Sequence, residues 1–92
     1  MTIVRRVLVH GRVQGVWFRG WTVDTAIALG VRGWVRNRRD GSVELLVAGD
    51  QEQVQRMIEQ VHIGPPAARV DRVEVEETDD AAPGGFEQRA TV

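Results

Sequence analysis

Hydrophobic periodicity along this 92-residue chain switches twice from a two-residue to a helical repeat, and that order limits the fold more than any other feature. VRRVLVHG sets Val7 and Val9 against Leu8 and His10, which predicts a central strand. After the glycine-rich stretch GRVQGVWFRG, residues 11–20, Phe18, Thr22, Ala26 and Leu29 keep near-helical spacing, and Gly30 stands where a C-cap belongs. VRGWVRN reads as a second strand and SVELLVAG as a third, with Val43, Leu45 and Val47 opposed to Glu44, Leu46 and Ala48. Between them RRDG supplies an Asp-Gly hairpin turn. In DQEQVQRMIEQV, Val54, Met57, Ile58 and Val61 fall at i, i+3, i+4 and i+7, and Asp50 with Gln53 form a capping pair. GPP, residues 64–66, ends this helix and leaves His62 in a loop. ARVDRVEVEE turns Val73 and Val75 inward, TDDAAPGG reads as an acidic mobile loop, and FEQRATV, with Phe86, Gln88, Ala90 and Val92 alternating, as a short closing strand.

The order is β-α-β-β-α-β with a terminal strand. It predicts an α+β, ferredoxin-like split βαβ sandwich, two helices on one face of an antiparallel sheet, in a single domain over residues 1–92. In this topology the first two strands run parallel with the third inserted between them. The 11–19 loop, Asn37 and Ser42 are then expected as neighbours along one sheet edge.

That edge is basic. Residues 1–40 hold eight arginines against Asp24 and Asp40, a net of +6, whereas residues 41–92 hold four arginines and eleven acids, a net of −7. Every basic residue is arginine, the side chain that binds phosphate and carboxylate bidentately. The chain has no cysteine, which excludes disulfides, zinc-thiolate sites and thiol nucleophiles. His10 and His62 have no partner spacing for a metal site, and His10 reads as a sheet-surface residue. The N-terminus lacks an apolar signal segment and no run matches a membrane span, so a cytoplasmic protein without a membrane partner is expected.

A glycine-rich turn between strand and helix lets backbone N–H groups converge, and Arg19 at the helix start adds a forked cation. The stretch is either an anion cradle or a tight connection whose glycines serve only backbone geometry. An arginine at a helix N-terminus opposes the dipole and favours the first reading. Asn37 either takes part in chemistry or opens the turn through an Asx hydrogen bond.

GRVQGVWFR followed by GWVRNRRDGSVE resembles the paired signature of the acylphosphatase family, and GPPAARVDRVEVE resembles the family's segment after the second helix. The likeness runs over nearly the whole chain. It implies hydrolysis of acyl phosphates to a carboxylate and inorganic phosphate, without cofactor or metal. It carries the catalytic arginine onto Arg19 and the catalytic asparagine onto Asn37, and implies that the backbone of Gln14, Gly15, Val16, Trp17, Phe18 and Arg19 cradles the phosphoryl group. Such a site would accept small acyl phosphates, with inorganic phosphate or sulfate as occupants, and a monomer is expected. Trp17 is bulkier than usual in this loop, and Arg38 and Arg39 add charge beside Asn37. Trp17 either stacks on the acyl group or covers the core, the latter being favoured. Ser42 either bonds near Asn37 or is a plain strand-start hydroxyl.

Two other functions fit the topology. RNA-recognition modules carry stacking aromatics on their central strands, whereas here Leu8, His10, Glu44 and Leu46 occupy the presumed open face, so no nucleic-acid partner is expected. Acylphosphatase-like modules also occur within larger maturation proteins, and the length of 92 residues favours a free enzyme.

Overall fold

The computed structural model describes residues 1–92. Its elements are β1 (Thr2–Arg12), α1 (Phe18–Leu29), β2 (Arg32–Asn37), β3 (Val43–Asp50), α2 (Gln51–Ile63), β4 (Arg69–Glu77) and β5 (Phe86–Gln88). The sheet order is β4-β1-β3-β2-β5, so β3 lies between β1 and β2 and pairs antiparallel with both. β1 and β2 therefore run the same way and deliver Arg12 and Asn37 to the same end of the sheet.

The core forms where the apolar stripes of both helices meet one sheet face. Val7, Val9, Val35, Val43, Leu45 and Val47 from the strands pack against Phe18 and Ala26 of α1 and Val54, Met57 and Val61 of α2. Each is essentially buried, and each of them apart from Ala26 contributes about 1.5–3 kcal/mol by leaving water. Thr22 joins this face because its hydroxyl donates to the Phe18 carbonyl at 2.8 Å. Gly30, at φ 76°, ends α1, and Gln53 Oε1 accepts the Asp50 N–H at 3.2 Å at the start of α2. No helix is long and apolar enough to cross a membrane.

The sheet is mixed rather than antiparallel throughout. β5 pairs parallel with β2, because residues 78–85 carry the chain from β4 at one edge to the opposite edge. The strand expected over 86–92 is regular only to Gln88; beyond it Arg89 N–H donates to Val35 O and Val92 N–H to Asn37 O. Val75 shares the inner face with its partner Val7 but remains 45% exposed, since it lies on the edge strand outside the core cluster. His62 belongs to the last turn of α2 rather than a loop, because the helix continues to Ile63 before Gly64 caps it.

The outer face is closed at its centre. Glu44 and Leu46 are each 1% exposed, contrary to an open platform, because arginines lie across the strands. Glu44 accepts from Arg6 Nε at 2.8 Å, Arg36 Nε at 2.7 Å and Arg38 Nη1 at 3.2 Å. Trp34 sits on this face, beneath the guanidinium of Arg36 at 4.5 Å and that of Arg89 at 5.2 Å. Burial alone would raise the Glu44 carboxyl; the bonds from Arg36 and Arg6, then Arg38, more than offset it and hold the group below its ordinary value.

Candidate active site

At the end of the sheet reached by β1 and β2, a cavity of about 140 Å³ is lined by Gln14, Gly15, Trp17, Arg19, Asn37 and Gln88, with Gly20, Val13 and Phe18 behind them. The loop between β1 and α1 forms one wall. Gly15, at φ 73°, and Trp17, at φ 65°, both take the left-handed conformation, so the chain coils back on itself before the helix begins. None of the backbone N–H groups of residues 14–20 donates to another protein group. Those of Phe18, Arg19 and Gly20 are the donors that any helix leaves free at its start, and the loop adds its own to them.

Positive potential accumulates here without local compensation. The first turn of α1 contains no acid, and Arg19 forms no hydrogen bond or ion pair with the protein. By contrast, Arg6, Arg36 and Arg38 are all tied to Glu44. A dipole end and a free guanidinium on one cavity call for an anion.

The opposite wall comes from the end of β2. Asn37 is 9% exposed, and its Oδ1 is the sole buried side-chain polar atom that lacks a hydrogen-bond partner. The Asx role belongs instead to Asp40, whose Oδ1 accepts the Ser42 hydroxyl at 2.6 Å and the Ser42 N–H at 2.9 Å. These bonds, the hydroxyl's first, hold the Asp40 carboxyl below its ordinary value. The turn is closed by Gly41 N–H to Arg38 O at 3.1 Å, with Gly41 at φ 95°. Asp40 and Gly41 thus build the hairpin, and Asn37 is left free of it. Ser42 serves the turn rather than Asn37.

Gln14 links the two walls. Its amide donates to Arg38 O at 2.7 Å and to Ser42 O at 2.9 Å, so the loop is strapped to the β2–β3 turn. Of the residues expected to cradle an anion, Gln14, Gly15, Trp17, Phe18 and Arg19 line the cavity. Val16 does not; its side chain is buried in the core, which leaves only its backbone for the role. Trp17 is 64% exposed and lies outside the core, contrary to the core-covering reading. Gln88 was not foreseen, because its place depends on the crossover that sets β5 beside β2.

The family model described as acylphosphatase matches residues 5–88. An acylphosphatase from Rhizorhabdus wittichii is 53% identical over 90 residues, covering 98% of this chain and 91% of its own. The solved acylphosphatase of Coxiella burnetii superposes with a TM-score of 0.91 at 35% identity, over 96% of this chain and 93% of its own. That of Bacillus subtilis gives a TM-score of 0.84 at 36% identity, over 100% and 99%. The match in sequence and fold runs along nearly the full length, and the chain belongs to the acylphosphatase family, enzymes that hydrolyse acyl phosphates.

Proposed function

We propose a division of labour for this hydrolysis in which the amides of the Gln14–Arg19 loop and the Arg19 guanidinium hold the phosphoryl group, while Asn37 orients the attacking water. One observation carries it: an arginine without a protein partner and an asparagine whose buried carbonyl oxygen has no donor line the same cavity. As phosphorus passes from the acyl oxygen to water, charge spreads over its equatorial oxygens, where converging N–H groups and a bidentate fork stabilise it. Asn37 Oδ1 accepts one hydrogen of the water and holds its oxygen in line with the leaving carboxylate. The P–O bond to the acyl group breaks, a P–OH bond forms, and the water's second proton passes to a phosphoryl oxygen. A carboxylate leaves well enough for this to proceed without a strong protein base, so phosphate monoesters are poor substrates.

In this reading the protein acts as a cytoplasmic monomer on small acyl phosphates, needs no metal, and binds inorganic phosphate or sulfate in the cradle. Kinetics of two variants test the division. Arg19→Ala and Arg19→Lys are expected to lower kcat by roughly a hundredfold or more and to weaken competitive inhibition by phosphate. Asn37→Ala lowers kcat comparably while phosphate inhibition persists. Near-normal turnover in Arg19→Ala would remove the assignment. Addition of a chelator is expected to leave the rate unchanged; loss with recovery on adding Mg²⁺ contradicts the metal-free mechanism.

A further inference from the structure

We propose that the Trp17 indole is the acyl-group subsite and favours flat, apolar acyl groups over small aliphatic ones. This rests on reading the cavity as the phosphoryl site. A space of about 140 Å³ takes the phosphoryl head, so the acyl group of a bound substrate lies at the mouth. The apolar lining residues are Val13, Trp17 and Phe18, and Val13 and Phe18 are only 1% and 2% exposed. Trp17, at 64%, is the one that offers apolar surface there, among Gln14, Gly15, Arg19 and Gln88.

The placement of the indole is built into the backbone. Trp17 is the sole non-glycine residue at positive φ, in a conformation where a Cβ is unfavourable and glycine is the natural occupant. Its ring rests over Gly20 so closely that any Cβ at Gly20 would overlap indole Nε1 and Cδ1. The ring takes no part in the core cluster. An exposed aromatic on a strained backbone, seated on a bare glycine beside a free arginine, has a face for a flat acyl group to stack on.

The test compares kcat/KM for benzoyl phosphate and acetyl phosphate in the wild type, Trp17→Gly, Trp17→Phe and Gly20→Ala. Glycine suits the left-handed position, so Trp17→Gly keeps the loop's backbone conformation. The benzoyl-to-acetyl ratio is expected to fall about tenfold in Trp17→Gly, the equivalent of about 1.4 kcal/mol, mainly through KM for benzoyl phosphate. Trp17→Phe retains most of the ratio. Gly20→Ala displaces the indole, lowers the ratio with Trp17 still present, and carries the same test if Trp17→Gly fails to fold. A ratio within about twofold of wild type in the folded variant overturns the subsite. Wild-type protein that hydrolyses neither compound overturns instead the reading on which the subsite rests.

Discussion

Asn37 holds a buried carbonyl oxygen that nothing in the protein satisfies, an arrangement that costs about 1–3 kcal/mol and is retained where a site needs it. The cost predicts how the residue behaves when removed. Asn37→Ala deletes the orphaned group, so its melting temperature should equal or exceed that of the wild type while kcat falls by roughly a hundredfold. A turn-forming asparagine would do the reverse, losing about 1 kcal/mol of stability and little activity. Thermal melts beside kcat decide between them. Sequence left both roles open because an asparagine four residues before a glycine suits either; in the structure Asp40, not Asn37, takes the Ser42 hydroxyl and N–H. Arg19 was legible, since its place at a helix start already opposed the dipole. Trp17 was misread as core cover: a large aromatic beside a helix usually packs inward, and only its φ of 65° turns it out.

Between the elements, Gln14 is the strut on which the two-walled site depends. The loop belongs to the β1–α1 connection and Asn37 to β2, so their spacing is set by whatever ties the connection to the β2–β3 turn. Gln14 does this through two carbonyls, those of Arg38 and Ser42, 24 and 28 residues away. Gln14→Ala is expected to cost only about 1 kcal/mol of stability, because each freed carbonyl keeps a backbone donor, Gly41 N–H on Arg38 O and Arg38 N–H on Ser42 O. Its catalytic cost should be larger, with kcat falling more than phosphate inhibition weakens, since the cradle survives and its distance to Asn37 is lost. Equal weakening of both would make Gln14 a binding group and no strut. Sequence placed Gln14 in the cradle but could not foresee the strap, because the partners are backbone carbonyls that come near only once β3 inserts between β1 and β2. The elements themselves were more legible. Both helices and the first four strands followed from periodicity and caps, which are local, whereas the parallel pairing of β5 and the burial of Glu44 depend on contacts across the sheet.

For the molecule as a whole, one buried carboxylate joins three strands and thereby the site to the fold. Glu44 on β3 gathers Arg6 from β1, Arg36 from β2 and Arg38 from the turn whose carbonyl holds Gln14. Its folded-state carboxyl lies below the ordinary glutamate value, so the unfolded chain binds the proton more readily than the native one. The stabilisation is therefore complete above the unfolded value of about 4.3 and is lost as pH falls through the lower native value. Glu44→Gln should lose about 2 kcal/mol near neutrality, less than a fully buried pair would, because the three arginines retain access to water. Melting temperatures of the two proteins are then expected to differ most near neutrality and to converge as pH falls below the ordinary glutamate value and through the lower native one. Asp40 also titrates low but is present in both proteins, so the difference between the curves isolates Glu44. Parallel curves across that range would show that the three arginines do not hold a charged glutamate, and the electrostatic tie between the sheet's outer face and the active-site turn would fall with it.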